Sequence, residues 1–249
     1  MLILSKKATA AAQLVEQFNY IVQLIMEFIS TLVPVFIFVS LTQMMLSDQL
    51  AVVLQSYKMV LIILGANLLL LSVCTAMVCI REKLPPLRYL QKLLPTFLIA
   101  ITTASSSAAF ATNVECCRKD LGVDKKIVNF GVPLGQVVYM PGVAVLFLAA
   151  SLCMAEVYAV AITPAWIITA FFVSGMLAFA APPIPGGTLT CYTILFLQLG
   201  IPAQAVSIVI SLNLVLEFLA TASNLFCLQS EMVLLSDRLD MLDKRILHK

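Results

Sequence analysis

The chain has 249 residues, of which 61% are apolar and 11% charged, with a mean hydropathy of +1.04. A soluble domain carries about 25% charged residues, so this composition excludes a water-facing globule. A single histidine, His248, and seven cysteines without a Cys-x-x-Cys pair exclude zinc-type ligand spacing.

The cysteines fall mostly in apolar runs and read as small packing residues. At the N-terminus, Leu2 to Leu4 is too short for the apolar core of a signal peptide. The first long apolar run covers about 21–46. It starts as an amphipathic stretch with Glu16, Gln17, Asn19, Gln23 and Glu27, and Pro34 should kink it. A second run covers about 59–80 and ends in the basic, proline-bearing loop Arg81 to Arg88.

The third region has two apolar arms, each too short to span, around the small polar stretch Thr102 to Ser107. That pattern predicts a re-entrant hairpin at about 90–118. The fourth, about 127–155, is broken at Tyr139-Met140-Pro141-Gly142. A Pro-Gly pair in mid-membrane frees backbone groups that lipid cannot satisfy, so it belongs inside protein or beside a wet cavity. A plain packing kink is the alternative. The fifth region is interrupted by Pro182, Pro183 and Pro185-Gly186, which predicts a second hairpin at about 163–199. The sixth covers about 203–236. From its end onward, Met232, Leu235, Leu239, Leu242 and Ile246 have helical spacing and predict an amphipathic helix on the membrane surface or against a partner.

Basic residues set the orientation. With both termini cytoplasmic, and the hairpins entering from opposite sides, every Lys and Arg except Lys58 falls on the inner side. Reading the hairpins as full spans would put a basic cluster outside. The expectation is therefore an all-α, polytopic membrane protein with two re-entrant helical hairpins, a broken helix and inverted-repeat topology, as in many secondary transporters.

Glu217 is an acidic residue deep in the last apolar run, with no basic residue near it in sequence. A carboxylate at mid-bilayer costs about 2.5–3.5 kcal/mol, so Glu217 should face the protein interior and meet a solute, a cation or a proton. Asn213, Thr221 and Asn224 lie at offsets of minus four, plus four and plus seven, on one helix face with it. This stripe reads as a site lining, with interhelical hydrogen-bonding glue as the alternative. Ser105, Ser106 and Ser107 at the first tip add to it, although serine runs often only close turns. No His-Glu-x-x-His, paired intramembrane Asp or Ser/His partner points to an enzyme.

From about Leu14 to Ser236 the chain resembles the C-terminal part of the glutamate/dicarboxylate:cation symporter family. The resemblance rests on the serine-rich first hairpin, Pro133-Leu134-Gly135, Tyr139-Met140-Pro141-Gly142-Val143, the Pro185-Gly186 tip, and Glu217, Thr221 and Asn224 on the last helix. It implies an elevator-type symporter with a solute site at Ser105, Ser106, Ser107, Pro185, Gly186, Glu217, Thr221 and Asn224. A coupling cation, sodium or a proton, is implied with it. Ala220 stands where the family has an arginine for a side-chain carboxylate. Pro141 and Leu228 replace two sodium-coordinating acids, and Tyr139 replaces an asparagine. These departures imply an amino acid or organic acid carried otherwise than by ordinary sodium-coupled glutamate or aspartate transport.

Against the family pattern, 1–48 is scaffold-like, 49–236 is a transport-domain-like core, and 237–249 is a cytoplasmic amphipathic tail. The family's earlier helices have no counterpart here. That implies a reduced variant, a half that works with another chain, or a fragment; the alternative to a transporter is a truncated, non-transporting membrane subunit or remnant that needs another chain, and the protein partner expected is a second copy, as a homo-oligomer, or a second membrane chain. The expected location is the cell membrane, with the bilayer and a small solute as partners and no nucleic acid.

Overall fold

The computed structural model separates into two compact units, Met1–Ser47 and Asp48–Lys249. It describes residues 57–181 and 188–249, without the side chains of 210, 211 and 213–215, and elsewhere only Gln17, Ile21, Phe28 and Thr42. The first apolar run, the Pro185-Gly186 tip and the side chain of Asn213 lie outside the described residues.

All regular elements described in the second unit are helices: α1 (Tyr57–Glu82), α2 (Pro86–Thr103), α3 (Phe110–Glu115) with a π-helical turn (Cys116–Asp120), α4 (Lys125–Val138), α5 (Pro141–Val157), α6 (Pro164–Ala180), α7 (Leu189–Gln198), α8 (Gln204–Arg238) and α9 (Lys244–His248). Among the described residues, three stretches are long and apolar enough to cross a membrane: Tyr57–Glu82, Lys125–Val157 and Leu216–Arg238. The molecule is an all-α membrane protein. The tail differs from its expected single amphipathic helix. Met232 and Leu235 belong to α8, and only Lys244–His248 is helical beyond it.

Local signals place the helix ends. Pro86, Pro141 and Pro164 each sit in a first turn, where the missing N–H costs nothing. Lys83, Ala159, Gly200 and Asp240 take positive φ just past α1, α5, α7 and α8. In each case the next residue, Leu84, Val160, Ile201 or Met241, donates its N–H to the carbonyl five positions back. This is the Schellman arrangement, which uses carbonyls the helix leaves over and seats an apolar residue after the cap. It ends α8 at Asp240 and turns the tail back.

α8 is the centre of the unit and packs against α1, α2, α4, α5 and α7. One apolar core gathers Phe147, Tyr192, Leu195 and Phe196 around α5 and α7; a second gathers Tyr89, Leu93, Val128, Phe226 and Val233 around α2, α4 and α8. α6 is turned inside out: Ala170, Ser174 and Ala178 are buried, while Ile168, Phe171, Phe172, Met176 and Phe179 are exposed. Small residues inward and large apolar residues outward suit a helix whose outer solvent is lipid.

Candidate functional site

The first polar gap follows α2. Ala104 ends α2 in the left-handed region, φ 49°, with its N–H on the Ala100 carbonyl. The tip then closes on its own atoms: Ser105 N–H donates to Thr103 Oγ1 at 3.2 Å, and Ala108 N–H donates to Ser105 Oγ at 3.2 Å. Ser106 is buried and Ser107 exposed. Gln136 of α4 reaches across and donates Nε2–H to the Ser106 carbonyl at 3.0 Å. The first tip is thus tied by its backbone to the helix that ends at the break.

The break itself is satisfied from α8. Pro141 has no N–H to place. Gly142 N–H donates to Asn224 Oδ1 at 2.8 Å and Val143 N–H to the same oxygen at 3.4 Å. Ala144 N–H donates to the Met140 carbonyl at 3.1 Å. The Asn224 amide oxygen thus caps the positive end of α5 by taking the N–H groups of Gly142 and Val143. Gly142 makes the approach feasible: a Cβ there would lie 2.5 Å from the Ala220 carbonyl oxygen and 2.9 Å from Ser223 Cβ.

Two turns back from Asn224, Glu217 accepts a hydrogen bond from Thr188 Oγ1 at 3.1 Å. Thr188 immediately precedes α7, so the carboxylate meets the positive end of that helix. Glu217 is 4% exposed, which answers where its charge points: into the protein. Thr221 and Asn224 follow it on the same face, also at the cavity.

Ser106, Gln136, Tyr139, Met140, Thr188, Glu217, Thr221, Asn224 and Leu228 border one cavity of ≈ 20 Å³, room for about one water. Ser106, Glu217, Thr221 and Asn224, all singled out from sequence, meet there; Ser105 and Ser107 are not among the lining residues. Pro185 and Gly186 lie outside the described residues. Gln136 and Thr188 escaped sequence reasoning. Their signal was position: Gln136 is a polar residue one turn before the break, and Thr188 directly follows the second tip. No lysine or arginine lies among the described lining residues. Leu228 fills its place by packing on α4, where a Cβ on Gly135 would lie 2.3 Å from Leu228 Cδ1. That contact is apolar and offers a cation nothing.

Away from the cavity a polar clasp joins the chain ends of α1, α2 and α8 to the tail. Lys244 Nζ lies 2.7 Å from Asp237 Oδ1 and 3.0 Å from Glu82 Oε2, and Arg81 Nε lies 2.7 Å from Asp237 Oδ2. Asp237, and after it Glu82, hold the Lys244 ammonium above the ordinary lysine range. Lys92 donates to three carbonyls, those of Asp120, Ile246 and Leu247, at 2.8, 2.9 and 2.8 Å. Val123 and Leu242 form an isolated antiparallel bridge, and Leu247 is fully buried. The tail's partner is thus the chain's own 116–124 turn.

The chain is 24% identical over 145 residues to an excitatory amino acid transporter of Caenorhabditis elegans, covering 58% of this chain and 29% of that protein. It is 28% identical over 139 residues to neutral amino acid transporter A of Bos taurus, covering 56% and 26%. An uncharacterized symporter of Haemophilus influenzae is 26% identical over 216 residues, covering 86% and 49%. The alignments therefore take in between about a quarter and a half of these relatives' length. The family model of the sodium:dicarboxylate symporters matches residues 1–229, and the chain belongs to that family of transport proteins.

Proposed function

We propose that this chain is the solute-handling part of an elevator-type secondary transporter for a small organic solute bearing an amino group, an amino acid or related organic acid. The observation that carries it is Glu217: a buried carboxylate at a small cavity bordered by both interrupted segments, with no basic residue among the described lining residues. Thr188 donates it a hydrogen bond at 3.1 Å, and a buried carboxylate beside a cavity suits the ammonium of a substrate. With no arginine among the described lining residues, a second carboxylate on the solute would meet Glu217's repulsion. The relatives named for neutral amino acids fit this reading better than transport of a diacid.

In this reading Ser105, Ser106, Ser107, Pro185, Gly186, Glu217, Thr221 and Asn224 form the solute site. Ser106 contributes through a backbone already engaged by Gln136. The segments at about 90–118 and about 163–199 re-enter the membrane from opposite sides, residues 49–236 are the transport-domain-like core, and 1–48 are scaffold-like. Both termini lie on the cytoplasmic face of the cell membrane. The coupling cation is sodium or a proton, and Pro141 and Leu228 offer sodium no carboxylate. The cavity of ≈ 20 Å³ is far smaller than an amino acid, so solute entry requires a tip to open.

The test is uptake of a panel of neutral, acidic and basic amino acids and small organic acids into liposomes, with and without a sodium or pH gradient. We expect uptake of a neutral amino acid that an inward sodium or proton gradient accelerates. The short coverage of its relatives favours assay both alone and with candidate membrane partner chains. No uptake and no binding in either format would overturn the transport reading.

A further inference from the structure

Two thiols outside this cavity meet across helices that are 153 residues apart in sequence. Cys74 of α1 and Cys227 of α8 place their sulfurs 3.4 Å apart. Cys227 is fully buried and Cys74 partly so. All seven cysteines are free, and Cys116 and Cys117, although adjacent in sequence, bond elsewhere, to the Lys92 carbonyl and the Asn113 amide oxygen. The 74–227 pair is therefore a preassembled dithiol. Disulfide bonding needs a sulfur separation of about 2.05 Å, a closure of about 1.4 Å from the contact seen here.

Its position gives the closure a consequence. Cys227 is three residues, under one turn, beyond Asn224, which holds the start of α5. The same apolar cluster takes in Cys74, Tyr139 and Leu228, and the last two border the cavity. A bond between the sulfurs would join α1 to α8 at the level of the helix break. Both partners lie within candidate membrane spans, Tyr57–Glu82 and Leu216–Arg238, where charged cytoplasmic thiols such as glutathione enter poorly. An oxidant that reaches them must dissolve in lipid.

We propose that Cys74 and Cys227 form an oxidation site for lipid-soluble hydroperoxides, reopened by a neutral, membrane-permeant dithiol. The partly exposed Cys74 sulfur attacks the outer peroxide oxygen. The O–O bond breaks, an S–O bond forms, and the alcohol leaves carrying the Cys74 proton. Cys227 then attacks the resulting sulfenic sulfur; the S–S bond forms, the S–O bond breaks, and hydroxide leaves as water with the Cys227 proton. The peroxide gains two electrons and each thiol sulfur loses one. The inference is independent of the solute reading, because it needs only the two spans and their contact.

The experiment treats the full chain in lipid vesicles with cumene hydroperoxide, blocks residual thiols, and maps peptides by mass spectrometry with and without dithiothreitol. We expect one dominant linked pair, Cys74 to Cys227, with the loss of two hydrogen masses, restored by dithiothreitol. Cys74→Ala and Cys227→Ala should each abolish it, and their unchanged melting profiles would show that folding is not the cause. Either variant refolding poorly leaves the wild-type map decisive. A wild-type map with no 74–227 link, with links scattered among other cysteines, or with Cys74 oxidised alone to the sulfinic acid, would overturn the proposal.

Discussion

Asn224 Oδ1 accepts two backbone hydrogen bonds from the start of α5, from Gly142 at 2.8 Å and from Val143 at 3.4 Å. A side chain of the last helix thereby does for the broken helix what an N-cap residue does in ordinary sequence. Replacing a capping residue by alanine costs about 0.5–2 kcal/mol, and burial places this one at the upper end. Asn224→Ala should lower the melting temperature by several degrees and weaken solute binding. Unchanged melting would mean the two N–H groups find another partner.

Gly142 is the other half of that joint. With the Ala220 carbonyl 2.5 Å from where a Cβ would sit, Gly142→Ala must push α5 from α8. Overpacking of this kind costs about 1–3 kcal/mol. Because both changes break one joint, Gly142→Ala combined with Asn224→Ala should cost less than the two separately. Additive melting shifts in a double-mutant cycle would contradict the shared joint.

Lys92 ties the 116–120 turn to the tail by three charged hydrogen bonds to carbonyls. Lys92→Met keeps most of the stem and removes the ammonium. Hydrogen exchange should then rise together in 116–124 and 241–248 while α7 stays protected. A rise confined to the last few residues would show that the turn holds without the tail.

The interrupted regions were legible because proline, glycine and runs of small polar residues break helices for local reasons. The ends of α4 and α5 fall at Tyr139-Met140-Pro141, and α2 stops at the serine-bearing tip. The polar face of α8 was legible too, since Glu217, Thr221 and Asn224 differ by whole turns. What Asn224 does was not. Its donors lie 81 and 82 residues away and are backbone groups that carry no signature. Gln136 likewise binds the Ser106 carbonyl, a contact any residue at that tip position would offer. In the tail, apolar spacing ran through Leu239 and Leu242 as though one helix continued. The turn at Asp240, φ 54°, had no glycine to announce it.

The clasp carries a pH dependence. Lys244 gains its carboxylates on folding, and its affinity for the proton is raised. The stabilisation is fully present below the unfolded-chain lysine pKa of about 10.4, and is lost as pH rises through the higher folded value. A spin label on Lys249→Cys should stay immobile from neutral pH to that range and loosen above it. Unchanged mobility through that range would contradict the role of the clasp.

The central claim is that Glu217 receives the solute's ammonium. Equilibrium binding of neutral amino acids to the full chain in nanodiscs tests it most directly, comparing wild type with Glu217→Gln, which keeps the shape and the Thr188 hydrogen bond. We expect the variant to melt like the wild type and to bind at least about tenfold more weakly, the loss of roughly 1.4 kcal/mol or more that a desolvated charge pair implies. Equal affinity and an unchanged pH dependence of binding in the two proteins would contradict it.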